Sequence, residues 1–220
     1  MRAYPKSPII IGILGTRGSG KSSIADYIVC NFGARKYSFA APVKKLAQKL
    51  YDFTDQQLYG DWRIKEKVDE RVGISPRTAF QRIGDGARDV LNLNVWVDKC
   101  MRDIQNDYYL DVIEKNAPYI YIIDDVRRLN EVAAIRKQES WGPRQWKQGW
   151  ILKLTPEDVQ FDDEYAKHAS ESEVKEVPYD KIDYAMKVRH CDHDYEKMYS
   201  QTKDFISMIF NDMKMDGEFL

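Results

Sequence analysis

The sequence predicts an α/β protein built on a mostly parallel five-stranded sheet with helices on both faces. Five short runs rich in apolar and β-branched residues are spaced along the chain, and helix-like patterns separate most of them. This alternation favours parallel pairing, because each crossover places a helix on a face of the sheet. The predicted strands are Ile9–Leu14, Lys36–Phe39, Tyr119–Ile123, Trp150–Leu154 and Ile182–Val188.

Two helix-patterned regions complete the predicted architecture. Residues 40–115 are rich in charged side chains and follow helical patterns. This interval is longer than a simple crossover between neighbouring strands needs. We therefore expect a helical insertion there, within a single domain over residues 1–220. The last helix pattern predicts a buried stripe formed by Tyr195, Met198, Tyr199, Thr202, Phe205, Ile206, Ile209, Phe210 and Met213.

A complete phosphate-binding loop follows the first predicted strand. The loop reads Gly15-Thr16-Arg17-Gly18-Ser19-Gly20-Lys21-Ser22, and Ser23 continues into a helix pattern. Its glycines let backbone N–H groups converge on phosphate oxygens, and the helix N-terminus adds its dipole. We expect Lys21 to reach the β- and γ-phosphates and the Ser22 hydroxyl to bind Mg²⁺. The loop predicts binding of a nucleoside triphosphate, and a chance glycine-rich turn is the alternative.

Two carboxylates and two arginines follow the third predicted strand. The strand runs into Asp124 and Asp125, and Arg127 and Arg128 come directly after Val126. Ligands of an open α/β sheet bind at the carboxyl ends of its strands, so a carboxylate here can hold Mg²⁺ or orient a phosphate acceptor. An arginine here can bind phosphate through two parallel hydrogen bonds. The alternatives are an aspartate that caps the next helix and an ordinary exposed arginine.

Residues 75–90 predict an amphipathic helix within the insertion. Ser75 and Pro76 form a typical helix start. The expected buried stripe consists of Phe80, Ile83, Ala87 and Val90. The opposite face carries Arg77, Gln81 and Arg88, and it either binds a phosphate and the edge of a base or faces solvent.

Gly84 and Gly86 stand in the interior of the same predicted helix. Each glycine costs about 1 kcal/mol relative to alanine at such a position. The close approach of a ligand or of another backbone would explain both of them.

Composition restricts the classes of partner. The chain has 220 residues with 34 basic and 35 acidic side chains, a balance that argues against a general nucleic-acid-binding protein. Three separated cysteines fit reduced thiols better than a disulfide framework, and His190-Cys191-Asp192-His193 lacks a second ligand pair for a metal. No apolar run is long enough for a signal peptide or a membrane span, so we expect a soluble, cytoplasmic protein.

Several separated motifs together resemble the bacteriophage deoxynucleoside monophosphate kinases, a branch of the P-loop nucleoside monophosphate kinase superfamily. They occur in the family's order over residues 8–190, and the phosphate-binding loop is the first of them. The others are Ser38-Phe39-Ala40-Ala41-Pro42-Val43-Lys44, Pro76-Arg77, Gln81-Arg82-Ile83-Gly84, Arg88-Asp89, Asn94-Val95-Trp96-Val97, Asp125-Val126-Arg127, Asn130-Glu131 and His168-Ala169-Ser170-Glu171.

The resemblance implies a three-layer P-loop kinase fold and transfer of the ATP γ-phosphate to a deoxynucleoside 5′-monophosphate, with Mg²⁺ as cofactor. The candidate catalytic residues are Lys21, Arg17, Asp125 and Arg127, and the candidate metal ligands are Ser22 and Asp124. The expected acceptor-binding residues are Phe39, Lys44, Arg77, Gln81, Arg88, Trp96, Asp125 and Arg127. The expected lid covers residues 155–178 and includes His168, Ser170 and Glu171. We expect a monomer or homodimer that binds ATP and the monophosphate but neither nucleic acid nor membrane, in the host cytoplasm if the chain is phage-encoded.

The chain departs from the family pattern at several places. Lys21-Ser22-Ser23 stands where related loops often have Lys-Asp-Thr, and Asp124-Asp125 doubles a carboxylate. Arg128-Leu129 replaces a Phe-Pro or similar pair, and residues 141–150 are longer than a tight turn. Which of the two aspartates acts on metal or acceptor stays open.

Two alternative functions share the same loop. One is a kinase for another small acceptor, such as dephospho-coenzyme A or phosphomevalonate, whose enzymes also have a strand-end aspartate. The other is a P-loop ATPase or switch module, which would hydrolyse ATP without an acceptor.

Overall fold

The described residues form one parallel sheet. The computed structural model describes residues 8–16, 18–114, 120–136, 149–157, 169–188 and 195–215. Within them the strands are β1 Ile9–Gly15, β2 Arg35–Tyr37, β3 Ile120–Val126, β4 Trp150–Pro156 and β5 Tyr184–Val188. Their order is β2-β3-β1-β4-β5, and every neighbouring pair is parallel. The prediction of a five-stranded parallel sheet is confirmed.

Helices lie between the successive strands and after the last one. They are α1 Lys21–Phe32, α2 Ala41–Tyr51, α3 Asp55–Tyr59, α4 Trp62–Glu66, α5 Pro76–Val90, α6 Val95–Glu114, α7 Leu129–Arg136, α8 Ala169–Glu176 and α9 Tyr195–Met215. A 3-10 turn, Tyr179–Lys181, precedes β5.

Helices cover both faces of the sheet, as the predicted three-layer fold requires. On one face, alternate β1 residues such as Ile11 and Ile13 share a core with Ile24 of α1 and Phe205 of α9. The other face lies against α7, because a Cβ on Gly12 would fall 2.5 Å from Ile135 Cδ1. The predicted stripe of α9 is confirmed from Met198 to Met213, although Tyr195 at its start is 44% exposed.

The strand bounds differ from the predicted ones where polar residues interrupt the apolar pattern. β2 ends at Tyr37 and not at Phe39, and β5 begins at Tyr184 and not at Ile182. β3 continues to Val126, so that Asp124 and Asp125 belong to the strand and not to the loop after it. Its predicted first residue, Tyr119, lies outside the described residues.

The chain divides into two compact units. One consists of residues 1–38 and 101–220 and contains the sheet, and the other consists of residues 39–100. The second unit holds α2 to α5 and the start of α6 around a small core of Ala47, Phe53, Leu58 and Ala79.

Helix α5 of the second unit buries a different set of residues from the predicted stripe. Its buried residues are Pro76, Ala79 and Gly84, and Phe80 and Ile83 are only partly buried against the small core. The expectation for Val90 is wrong, because this last residue of the helix is 81% exposed. Helical periodicity places Val90 on the same face of α5 as Phe80 and Ile83. It could not show that the small core ends before the last turn of the helix.

The two glycines of α5 have room for a side chain. A Cβ on Gly84 would have its nearest contact 3.5 Å away at Arg88 Nη1, which is ordinary van der Waals distance. A Cβ on Gly86 would meet nothing within 4 Å. Close approach of another part of the chain therefore does not explain either glycine within the described residues, and the approach of a ligand stays as an expectation.

Gly86→Ala tests that expectation. The substitution is expected to raise the free energy of unfolding by about 1 kcal/mol, since alanine is the better helix former and the added Cβ has open space. Gly73→Ala is the matched control: it is equally uncrowded, but its φ of 75° should make alanine destabilising. Urea unfolding measures both. A Gly86→Ala protein that is more stable but has a raised KM for the ligand of this region would indicate that the ligand approaches Gly86. A loss of stability would contradict the helix-propensity argument.

Candidate active site

The phosphate-binding loop joins β1 to α1 as the motif requires. Gly18 and Gly20 have φ values of 73° and 82°, in the left-handed region that favours glycine. A Cβ on Gly15 would lie 2.4 Å from Ser19 Oγ and 2.9 Å from the Leu154 carbonyl oxygen, so a side chain does not fit there. Helix α1 begins at Lys21, directly after the glycine cap. The local sequence therefore places the N-terminal turn of α1 at the end of the central strand β1.

Lys21 is held by its own loop. Its Nζ donates to the carbonyl oxygens of Gly15 at 2.8 Å and Thr16 at 2.5 Å, and to Ser19 Oγ at 3.4 Å. The side chain is only 8% exposed, so a buried positive charge stands among the loop's polar atoms. An ammonium in this position can exchange carbonyl partners for phosphate oxygens without moving into the core.

Other loop residues offer further polar groups for a phosphate. Thr16 Oγ1 is buried and makes no hydrogen bond to any described residue. Ser22 and Ser23 are exposed in the first turn of α1, where a hydroxyl is accessible to a ligand or a metal ion.

The ends of three neighbouring strands meet at the edge where the loop lies. β3 stands between β1 and β2, and all three run parallel, so their carboxyl ends share one edge of the sheet. Gly12 pairs with Ile123 and Leu14 pairs with Val126, so β3 has one residue more than β1 between these pairs. This bulge contains Asp124 and Asp125. A bulge redirects side chains locally, and here it lets the doubled carboxylate make two different sets of contacts.

The two aspartates have different partners. Asp125 Oδ2 accepts a hydrogen bond from Ser38 Oγ at 2.7 Å, and Ser38 follows the end of β2. Asp124 Oδ2 lies 3.9 Å from Lys36 Nζ, which is also paired with Asp26 of α1 at 2.5 Å. Asp125 is therefore held by Ser38 at the end of the neighbouring strand β2. Asp124 instead lies near Lys36, which is paired with Asp26 of α1.

Strand β2, which positions Ser38, is fixed by α6. Arg35 forms two short contacts with the Asp111 carboxylate, at 2.7 and 2.9 Å, and Tyr37 donates to Asp107 at 2.5 Å. Burial and the Asp107 carboxylate raise the pKa of Tyr37, so the phenol remains a hydrogen-bond donor. A strand of three residues thus has side-chain supports at both its ends.

Sequence reasoning missed the part that Glu131 plays beside Arg127. Glu131 is 4% exposed, and its Oε2 accepts from the backbone N–H groups of Arg127 at 2.7 Å and Arg128 at 3.0 Å. The carboxylate therefore binds N–H groups at the start of α7, and it fixes the backbone between β3 and that helix. Glutamate in the first turn of a predicted helix was the signal that could have indicated this role.

The predicted polar face of α5 carries two ion-paired arginines. Arg77 Nε lies 3.3 Å from Glu66 Oε1, and Arg88 Nη1 lies 3.0 Å from Asp85 Oδ1. Gln81, between them on the helix, is exposed. The structure therefore brings Arg77, Gln81 and Arg88 together on one helix, each arginine half-buried with a carboxylate partner.

Three further predicted acceptor-binding residues also take part in packing. Trp96 is 8% exposed and its indole N–H donates to the Gly84 carbonyl oxygen at 2.9 Å, which links α6 to α5. Phe39 is 2% exposed, and Lys44 Nζ lies 4.9 Å from the centre of the Tyr59 ring. These contacts give Phe39 and Trp96 a structural role that the motif alone did not indicate.

The predicted lid, residues 155–178, has structured ends. Thr155 and Pro156 extend β4 and pair with β5, so the first two residues of the predicted lid belong to the sheet. At the other end Ser170 and Glu171 belong to α8, and Val174 and Val177 are buried. His168 lies outside the described residues, as do Arg17 in the phosphate-binding loop, the histidines at 190 and 193 and all but the last two residues of the 141–150 stretch.

No cluster of three or more histidine, cysteine, aspartate or glutamate side chains suited to a metal ion is found in the described ranges. Among the helices that the structure describes, none combines the length and the apolarity needed to cross a bilayer.

Comparison with known proteins gives a viral relative. The "Putative deoxynucleotide monophosphate kinase" of Acanthamoeba polyphaga mimivirus is 31% identical over 179 residues, which are 77% of this chain and 83% of that protein. No protein-family model matches the chain.

The solved structures that match the chain have lower sequence identity. TT1252 from Thermus thermophilus is 15% identical with a TM-score of 0.43, over 94% of this chain and 99% of that chain. Dephospho-CoA kinase from Campylobacter jejuni is 12% identical with a TM-score of 0.43, over 91% and 96%. Thymidylate kinase from Candida albicans is 13% identical with a TM-score of 0.38, over 93% of each chain.

By its similarity to the mimivirus protein, the chain belongs to the family of deoxynucleotide monophosphate kinases.

Proposed function

We propose that the protein transfers the γ-phosphate of ATP to a deoxynucleoside 5′-monophosphate and so supplies a diphosphate precursor of DNA. The observation that carries the proposal is the phosphate-binding loop with its buried Lys21, at the same sheet edge as Asp125. Family membership supports the same reaction. Phosphoryl transfer needs positioning and charge neutralisation more than covalent chemistry, and this edge offers both.

The donor side of the reaction is assigned to the loop. Lys21 and the loop N–H groups bind the β- and γ-phosphate oxygens, and the Thr16 hydroxyl can donate to a phosphate because it makes no hydrogen bond to the described residues. Arg17, which stands in the same loop, is proposed as a further donor-side cation.

Mg²⁺ fits the oxygen ligands near the loop. The exposed Ser22 hydroxyl and the Asp124 carboxylate are the proposed ligands, because Mg²⁺ prefers hydroxyl, carboxylate and water oxygens. When bound, the ion neutralises charge on the transferring phosphate. Ser38 holds one oxygen of Asp125, and this supports Asp124 as the metal carboxylate and Asp125 as the acceptor-orienting one.

The acceptor is assigned to arginines and their neighbours. Arg127 follows β3 with its backbone fixed by Glu131, and a guanidinium there can bind the monophosphate through two hydrogen bonds. The proposed set is completed by Asp125, Phe39, Lys44, Arg77, Gln81, Arg88 and Trp96. The exposed Gln81 amide is suited to a base edge, and the half-buried arginines are suited to phosphate.

A coupled assay over common deoxy- and ribonucleoside monophosphates tests the proposal. ATP consumption that depends on dTMP, dGMP or another deoxynucleoside monophosphate is the expected result. A response only to dephospho-coenzyme A or to phosphomevalonate would favour the other small-molecule kinases. ATP hydrolysis that needs no acceptor would favour an ATPase or switch module.

Ser38→Ala is expected to lower kcat/KM for the monophosphate about tenfold, because Asp125 loses the hydrogen bond that orients its carboxylate. ATP affinity should stay unchanged, since Ser38 is not part of the loop. Ser38→Thr keeps the hydroxyl and is the matched control. Steady-state kinetics with each substrate varied in turn measure the effect. If Ser38→Ala had the wild-type kcat/KM for the monophosphate, Ser38 would have no role in the site.

We also propose a bacteriophage origin, action in the host cytoplasm and a monomeric or homodimeric state. The family resemblance in the sequence supports the first two, and sedimentation of the purified protein decides the third.

A further inference from the structure

Arg128 connects the loop after β3 with a distant helix. Its Nη1 donates to Glu173 Oε1 of α8 at 3.1 Å, across 45 residues of sequence. Arg128 is also the first residue of the pair that departs from the family pattern, in which a Phe-Pro or similar pair is expected. The contact is therefore a feature of this chain that its resemblance to the family does not account for.

The ion pair is largely shielded from water. The Arg128 and Glu173 side chains are 15% and 26% exposed, whereas the partners of the Lys181–Asp180 pair are 53% and 70% exposed. Exposed pairs contribute little because water and salt screen them. In a shielded pair the two charges interact more strongly than on the surface, and removal of Arg128 takes a cation from beside the partly buried Glu173 carboxylate.

The backbone of Arg128 is fixed at the same time. Glu131 accepts from the N–H groups of both Arg127 and Arg128, which holds the two-residue loop rigidly at the start of α7. The backbones of Arg127 and Arg128 therefore share one buried carboxylate as their acceptor.

Helix α8 is anchored in two ways. Val174 and, just after the helix, Val177 are buried, and α7 packs against α8. These apolar contacts hold the helix to the unit, and the hydrophobic effect that drives them has no direction. The Arg128–Glu173 pair supplies a directional contact, one turn from Ser170.

We propose that Arg128 is a positioning residue that, through Glu173, fixes α8 against the loop carrying Arg127. The distance between the first turn of α8 and Arg127 is then fixed for binding of the acceptor monophosphate. The identity of that ligand rests on the proposed function, whereas the coupling between the two segments does not.

Kinetics and hydrogen exchange on single and paired variants test this coupling. Arg128→Ala and Glu173→Gln are each expected to raise the KM of the deoxynucleoside monophosphate about tenfold and to leave the Kd of ATP within about twofold. Amide exchange in residues 170–176 should accelerate by a similar factor in both variants. The reversed pair, Arg128→Glu with Glu173→Arg, should recover most of both losses, and Arg128→Lys provides a second rescue if the reversed pair does not fold.

Lys187→Ala is the matched control. Lys187 pairs with Glu157 at 3.6 Å and is 78% exposed, so its loss should change neither KM nor exchange in α8. Unfolding at lower temperature with unchanged KM and unchanged exchange in α8 would overturn the proposal, as would single variants that no partner change rescues. A wild-type protein inactive with every monophosphate would overturn the proposed function instead, and the exchange result would still decide the role of Arg128.

Discussion

Lys21→Ala is expected to lower kcat for phosphoryl transfer by about 1,000-fold or more, because a preorganised positive charge beside the transferring phosphate is lost. The free energy of unfolding should change by about 1 kcal/mol or less, since Nζ contacts polar loop atoms and not the apolar core. Single-turnover kinetics and urea unfolding measure the two effects. The loss should appear in kcat more than in the KM of the monophosphate.

Lys49→Ala, on the exposed side of α2, is the control for removal of a lysine elsewhere. It should retain wild-type kinetics. If Lys21→Ala retained nearly the wild-type kcat, the loop would have no part in the chemistry and the whole assignment would fail.

Arg127→Ala is expected to reduce kcat/KM for the monophosphate about 100-fold, because a charge-assisted contact with the acceptor phosphate is removed. Arg77→Ala should act in the same direction. Neither substitution should weaken ATP binding by more than about twofold, since both residues are assigned to the acceptor. Steady-state kinetics for the monophosphate and calorimetry with ATP separate the two substrates.

Arg82→Ala is the control on the same helix as Arg77, because Arg82 is exposed on α5. Arg127→Lys keeps the charge but loses the planar fork, so partial activity is expected. An equal loss of ATP binding in the Arg77 and Arg127 variants would indicate that these arginines bind the donor or have a structural role instead.

Local sequence was enough to predict the strand, turn and helix of the phosphate-binding loop. The apolar run of β1, the glycine spacing and the start of α1 at Lys21 all follow from neighbouring residues, and the structure has each of them where the motif indicates. The parallel sheet was predictable for a similar reason, since alternation of strands and helices leaves few other topologies.

The contacts that support the site were not predictable from one sequence. Ser38 and Asp125 are 87 residues apart, and Arg128 and Glu173 are 45 apart, so no local pattern relates either pair. The bulge in β3 was missed because two aspartates resemble the start of a loop, while pairing with β1 extends the strand through them. Val90 shows the same limit, because burial depends on where the neighbouring core ends.

The most direct test of the central claim follows the phosphate itself. The protein is incubated with ATP labelled at the γ-phosphate and with one deoxynucleoside monophosphate at a time, and the products are separated. The account predicts that the label appears in the β-phosphate of the deoxynucleoside diphosphate, in equal amount to the ADP formed, and that Lys21→Ala prevents it. Label released as inorganic phosphate, with no labelled diphosphate for any acceptor, would contradict the account.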